Sequence, residues 1–246
     1  MFKPLFGVAA ATVIGVLATE DRRLDVLEIN HESNLTDVTQ ITYPGYLFSD
    51  GYEYALAPET TQDPFFISGV TYRQDVVEGQ AGVSLTTIMK FVDVTTSQPV
   101  KNLWVSFWNS NADGVYSGVA GAETDATTDA TFLRGLVQTD MYGLATFNTV
   151  FPGHYTGRTP HLNILAQYNG TYLDNTTYNG GTTVHVGEIF FDQDLIAKVA
   201  ATKAYLSNQQ NLTLYSDDKG LAEASNYDPI AMYSLTGSAV EDGIVA

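Results

Sequence analysis

Residues 132–167 read FLRGLVQTDMYGLATFNTVFPGHYTGRTPHLNILAQ, and this stretch contains the patterns that decide the fold. Two β-rich runs, 132–139 and 144–150, flank Asp140-Met141-Tyr142-Gly143, a four-residue signal for a hairpin turn. A third β-rich run, 161–167, follows a segment that contains two Pro and two Gly residues. Short strands separated by turns predict a mostly β protein with a β-sandwich core.

Outside this stretch the same strand signal recurs at 83–91, 103–108 and 182–191. A helix is predicted directly after the last of these runs, with Asp192 or Asp194 near its N-cap. Its apolar residues recur at helical spacing: Leu195, Ile196 and Val199. The expected fold is therefore a β-sandwich with one or two short helices.

The chain divides into three predicted parts. Residues 1–18 carry one positive charge, Lys3, followed by an apolar run that suits a signal peptide and is too short to span a bilayer. Residues 19–55 have no clear periodicity and are predicted to form an N-terminal arm. Residues 56–246 are predicted to form one β-sandwich domain, with the small polar residues of 117–131 in a long surface loop.

Composition excludes several functions. The chain has 28 acidic and 11 basic residues among 246, a formal net charge of −17, so it lacks the clustered Lys and Arg that bind nucleic acid. The same charge disfavours docking on anionic membranes once a signal peptide is removed. The absence of cysteine excludes disulfides, metal–thiolate sites and thiol catalysis. Four glycosylation sequons support an extracellular location; they begin at Asn34, Asn169, Asn175 and Asn211.

The chemistry concentrates in two segments. Tyr116 follows the turn-forming residues 113–115, and residues 151–163 bring together Tyr155, Arg158, His161 and Asn163. Because alternate residues of a strand share a face, His161 and Asn163 are expected to point the same way. Tyrosine oxygen is a hard anionic donor once deprotonated, and a highly charged cation such as ferric iron promotes that deprotonation.

Six ordered segments resemble one family, the intradiol ring-cleavage dioxygenases, and in particular their secreted fungal branch. The similarity extends over about residues 56–242, most of the chain. The segments that carry it are 56–66, 75–85, 108–118, the hairpin made of 132–135 and 139–147, 151–161 and 185–191.

This resemblance implies a non-haem Fe(III) site held by two Tyr and two His, with Fe(III) as the sole cofactor. By position the metal ligands are Tyr116, Tyr155, His161 and residue 163, and Arg158 is a candidate catalytic residue beside them. The implied reaction is the insertion of O₂ into a small aromatic diol, a catechol, which gives a muconate-type dicarboxylate. The implied partners are thus a small aromatic diol and O₂.

Two residues depart from the family pattern. Asn163 stands where the family has its second His, and Glu188 stands where it usually has Gln, which makes Glu188 a second candidate catalytic residue. Either the site still loads iron, with Asn163, water or Glu188 completing the ligands, or it stays empty. In the second case the protein is a catalytically degenerate secreted binding protein on the same fold. A generic adhesion or carbohydrate-binding sandwich leaves the Tyr, Arg and His residues unexplained.

The signal-peptide pattern generates a direct prediction. Expressed from Met1 in a eukaryotic secretion host, the mature protein is expected to begin at or near Thr19 and to carry N-linked glycan, because Val16 and Ala18 are small residues at the −3 and −1 positions. N-terminal sequencing and the mass change on enzymatic deglycosylation measure this. Secreted protein that retains Met1 would contradict it.

Overall fold

The computed structural model describes residues 27, 29–33, 48, 65–119, 129–224 and 227–246. The predicted signal peptide, most of the predicted N-terminal arm, the Asn34 sequon and most of the predicted surface loop lie outside these residues. Within the described part of the chain, no helix is long and apolar enough to cross a membrane.

The described residues are mostly β-structure with two short helices, which confirms the predicted fold class. The helices are α1 (Gln193–Ala200) and α2 (Lys219–Ala224). The strands in chain order are β1 (Ser84–Lys90), β2 (Val92–Asp93), β3 (Gln98–Pro99), β4 (Trp104–Trp108), β5 (Arg134–Gln138), β6 (Leu144–Val150), β7 (His161–Tyr168), β8 (Thr171–Tyr172), β9 (Tyr178–Asn179), β10 (Thr182–Phe190), β11 (Ser234–Leu235) and β12 (Ile244–Val245).

Eight of these strands form the two layers of the sandwich. The first sheet has the order β11-β12-β1-β6 and the second has the order β10-β7-β4-β5. Their inner faces share one apolar core, in which Phe107 of β4 stacks on Phe147 of β6 with ring centroids 4.5 Å apart. Helix α1 adds Leu195, Ile196 and Val199 to this core, as its periodicity predicts.

The predicted hairpin at 140–143 is wrong in one respect. The turn forms, with Gly143 N donating to Asp140 O (3.1 Å) and Asp140 N donating to Leu144 O (3.1 Å). However, β5 pairs with β4 in the second sheet, whereas β6 pairs with β1 in the first sheet over seven residue pairs. The turn is therefore a corner between layers. Both strands are apolar enough to bury against the core, so their partners are chosen by packing and not by the turn.

Helix α1 begins beside a buried ionic cluster. Asp192 occupies the N-cap position, but its carboxylate makes no capping hydrogen bond to the helix. It accepts instead from the backbone N of His31 (2.8 Å) and lies 2.6 Å from His31 Nδ1. Asp228 Oδ2 lies 3.4 Å from His31 Nε2. Burial lowers the pKa of His31, but the hydrogen bonds and charges of both carboxylates outweigh burial and raise that pKa to about 9.

This cluster predicts a stability loss at alkaline pH. Because the pKa of His31 is raised from 6.5 to about 9 on folding, its contribution is complete below about pH 6.5 and disappears as the pH rises through about 9. That contribution is roughly 3 kcal/mol by linkage. Urea unfolding between pH 6 and 10 should show this loss of unfolding free energy in wild type and not in His31→Gln. The control is His185→Gln. His185 lies on β10, and its half-buried imidazole packs against Phe91. Equal pH profiles for all three proteins would refute the assignment.

Candidate metal site

The candidate site lies on the outer face of the second sheet. Along β7, Leu162 and Ile164 point into the core between the sheets, whereas Leu165 packs in a separate cluster with Tyr116 and Tyr155. His161 and Asn163 share the outer face with Leu165, as strand alternation predicts. Each of these two polar side chains is only 1% exposed.

Neighbouring strands extend this face into a row of paired residues. Asn163 pairs with Trp108 of β4 on one side and with Glu188 of β10 on the other. Trp108 in turn pairs with Arg134 of β5. Since directly paired residues of adjacent strands point to the same side of a sheet, the four side chains cross the sheet on one face. Glu188 is thus a direct neighbour of Asn163.

Two loops add the tyrosines. Tyr155 lies in the turn that precedes β7, and Tyr116 lies in the segment that follows β4. Ser110 Oγ donates to Gly153 O (2.8 Å) and Gly153 N donates to Asn111 O (3.0 Å), so the loops are bonded to each other. The ring centroids of Tyr116 and Tyr155 are 5.5 Å apart in an edge-on arrangement.

Buried Arg134 holds the Tyr116 segment against the sheet. Its Nε and Nη2 donate to the carbonyl oxygen of Ser117, at 3.0 and 2.7 Å. Arg134 is 2% exposed although arginine is almost always at the surface. The sequence gives no signal for this role, because Arg134 becomes a neighbour of residue 117 only through the pairing of β4 with β5.

Phe65 covers the tyrosines with an apolar wall. Its ring stacks on Tyr116 with centroids 4.5 Å apart and meets Tyr155 edge-on at 5.9 Å. Phe66 packs edge-on against Trp108 at 5.5 Å. Residues 56–64 of the segment that resembles the family lie outside the described residues. The arrangement surrounds the polar atoms with rings, which suits a planar aromatic ligand.

The tautomer of His161 leaves one ring nitrogen facing the site. Nδ1 lies 2.6 Å from the carbonyl oxygen of Thr159, which can only accept, so Nδ1 carries the proton. In a neutral ring, Nε2 then holds the lone pair that a metal needs, and it lies 3.4 Å from the hydroxyl oxygen of Tyr155. A backbone carbonyl that fixes the far nitrogen is the usual support of a metal-binding histidine.

Asn163 contributes an amide oxygen with no partner. Its Nδ2 donates to the hydroxyl oxygen of Tyr116 (3.2 Å) and to Trp108 O (3.4 Å). Its Oδ1 is buried and has no hydrogen-bond partner among the described residues. An unpaired buried carbonyl oxygen costs free energy, roughly 1–3 kcal/mol, and a cation would satisfy it.

Two carboxylates form ion pairs with the guanidinium of Arg158. Its Nη2 donates to Glu188 Oε2 (2.6 Å) and its Nε donates to Asp218 Oδ1 (3.0 Å). Burial would lower the pKa of Arg158, but the charges of Glu188, Tyr155 and Asp218 more than offset burial and raise the pKa above its ordinary value. Arg158 is therefore a fixed cation at the site.

Asp218 is a second residue that the sequence pattern does not identify. Its fully buried carboxylate also accepts from Thr159 N (2.6 Å), Gly220 N (2.8 Å) and Leu221 N (3.1 Å). It thereby joins the loop that precedes β7, the guanidinium of Arg158 and the first turn of α2. Only the folded chain brings residue 218 beside residues 158 and 159.

The residues present fit a hard trivalent cation. Four side chains with candidate donors lie side by side: Tyr116, Tyr155, His161 and Asn163. Ligands roughly 2.0–2.2 Å from one ion lie up to about 4.4 Å apart, so the Tyr155 oxygen and His161 Nε2, 3.4 Å apart, are close enough to share an ion. Among the described residues, the candidate site included, no three His, Cys, Asp or Glu side chains cluster as a metal site. A metal bound here depends on tyrosine and amide oxygen.

Comparison with known proteins supports the resemblance at the level of fold and class. An intradiol ring-cleavage dioxygenase from Tetranychus urticae is 28% identical, with a TM-score of 0.64 over 78% of this chain and 91% of that chain. A second solved dioxygenase is 29% identical, with a TM-score of 0.60 over 72% of this chain and 85% of that chain. No family model and no curated protein matches the sequence. The chain thus has the intradiol dioxygenase fold, and its similarity supports a dioxygenase-like protein.

The bonds of Asp218 generate a stability prediction. Asp218→Asn is expected to lower the free energy of unfolding by about 3 kcal/mol, because it removes a buried charge partner of Arg158 and turns an amide donor toward a backbone N–H. Urea denaturation measures the loss.

The matched control is Asp217→Asn, which removes the same charge from the adjacent exposed position. It should change stability by less than about 0.5 kcal/mol. Similar losses in the two variants would show that the Asp218 carboxylate is not a structural anchor.

Proposed function

We propose that the protein is a secreted Fe(III)-dependent intradiol dioxygenase that opens the ring of small catechols. The observation that carries the proposal is that Tyr116, Tyr155, His161 and Asn163 lie together in a buried cluster, with His161 Nε2 3.4 Å from the Tyr155 hydroxyl and Asn163 Nδ2 3.2 Å from the Tyr116 hydroxyl. The fold similarity to intradiol dioxygenases supports the same reaction class. Secretion rests on the apolar N-terminal run and the sequons.

The polar groups of the site have distinct proposed roles. The two tyrosines supply anionic oxygens, and His161 and Asn163 supply neutral donors. Bound ferric iron would withdraw electron density from a chelated catechol and make a ring carbon reactive toward O₂. Phe65 excludes water from the tyrosines and offers a planar wall to the catechol ring.

Arg158 is proposed to act by charge. A catechol bound through both oxygens is an anion, and a fixed cation beside it lowers the free energy of that anion in a site shielded from water. Glu188 and Asp218 orient the guanidinium, so its position need not change when the substrate binds. This arrangement stabilises charge without proton transfer from Arg158.

A second candidate function has its own supporting observations. Asn163 is a weaker and shorter donor than the imidazole in the family pattern, and Arg158 already has two carboxylate partners. Both features favour a catalytically degenerate protein that binds a phenolic compound without opening its ring. The two functions differ in whether the protein loads iron.

Iron loading of the purified protein tests the proposal. Wild type incubated with Fe(III) is expected to bind one iron per chain, to show a visible tyrosinate absorption band and to convert catechol to a muconate with uptake of O₂. Tyr155→Phe should lose most of the band and at least 10-fold in ring-opening rate, since it removes an anionic donor.

The control is Tyr168→Phe, at the far end of β7, where the hydroxyl contacts Lys101 O (3.4 Å). It should keep the band and the rate. A wild-type protein that binds no iron would refute the dioxygenase proposal. Binding of catechol without iron and without ring opening would establish the degenerate binding protein instead.

A further inference from the structure

The two departures from the family pattern face each other in the sheet. Glu188 of β10 is the direct cross-strand partner of Asn163 of β7. The amide at position 163 is shorter than the imidazole of the family pattern, and the side chain directly opposite is a carboxylate. The carboxylate is buried, with 5% of its side chain exposed.

The two oxygens of Glu188 have different neighbours. Oε2 accepts from Arg158 Nη2 at 2.6 Å. Oε1 lies 4.0 Å from His161 Nε2, the ring nitrogen that remains available to a metal when Nδ1 donates to Thr159 O. Ligands about 2.0–2.2 Å from one ion lie up to about 4.4 Å apart, so this separation is short enough for both atoms to bind the same ion.

The charges also balance with Glu188 included. Arg158 carries one positive charge, and its partners Glu188 and Asp218 carry two negative charges. With Tyr116 and Tyr155 as phenolates the group has a net charge of −3, which neutralises a trivalent cation without an added hydroxide. A site that is electrically neutral overall is far less costly to bury than one with an uncompensated charge.

We infer that Glu188 is itself a ligand of the ferric ion, through Oε1, and compensates for the weak amide donor of Asn163. This inference rests on the proposed ferric site. It differs from the role of Glu188 as a salt-bridge partner of Arg158, because it predicts a direct effect of the carboxylate on the metal.

Iron affinity and the visible spectrum of Glu188→Gln test the inference. Gln has the same shape and can still accept from Arg158, so the variant removes only the charge and the anionic oxygen. We expect at least a 10-fold increase in the Kd for Fe(III). We also expect the tyrosinate band to move to longer wavelength, since fewer anionic donors leave the iron more electron-poor. The electron paramagnetic resonance spectrum of the ferric ion in Glu188→Gln should also differ from that of wild type.

Arg158→Gln separates the two roles of Glu188. If Glu188 affects iron only through its ion pair with Arg158, then Arg158→Gln, which breaks the same ion pair, should weaken Fe(III) binding as much as Glu188→Gln does. If Glu188 is a ligand, removing the neighbouring cation should leave Fe(III) binding unchanged or tighter. Circular dichroism and thermal melting confirm that each variant is folded. If Glu188→Gln is unfolded, Glu188→Asp provides the test, because it keeps the charge and withdraws the oxygen by one methylene.

A rescue experiment completes the test. Adding Asn163→His to Glu188→Gln restores an imidazole donor on the same face, so the double variant is expected to regain at least half of the lost affinity on a logarithmic scale. If wild type binds Fe(III) and Glu188→Gln has the same tyrosinate band and the same Kd for Fe(III), the inference is overturned and the dioxygenase proposal stands. A wild-type chain that binds no Fe(III) would overturn both.

Discussion

Burial of β7 on both faces is the constraint on which the rest of the molecule depends. Leu162 and Ile164 enter the core between the sheets, while His161 and Asn163 are covered by the loops that carry Tyr116 and Tyr155. A polar residue on a doubly buried strand needs a partner, because an unpaired buried group costs free energy. Folding of the sandwich therefore forces these polar groups together, and the site is a consequence of the core.

The charged side chains near β7 form one buried group around Arg158. An acidic chain of net charge −17 places one arginine, Arg158, between Glu188 and Asp218, where the two carboxylates hold it beside the tyrosines. Asp218 also begins α2 through its bonds to Gly220 N and Leu221 N. The same carboxylate thus couples a helix start, the loop before β7 and the orientation of the Arg158 guanidinium.

Several features of the fold were predictable because they depend on local patterns. Alternation along 161–167 predicts that His161 and Asn163 share a face, and the spacing of Leu195, Ile196 and Val199 predicts the buried side of α1. The 140–143 turn was also predictable, but its strands join different sheets. A turn constrains only the four residues that form it, whereas the choice of partner strand depends on where each apolar face finds the core.

The sequence by itself determined the set of chemical groups: two tyrosines, a histidine, an asparagine and an arginine at spacings that match a known family. It also determined the strand faces, since side-chain direction follows from a period of two. Tertiary structure alone decided that Glu188 lies directly opposite Asn163, that Asp218 and Arg134 support the site, and that Asp192 pairs with His31 instead of capping α1. Those contacts join residues 17 to 161 positions apart. No local pattern encodes them, because they arise only when the two sheets pack.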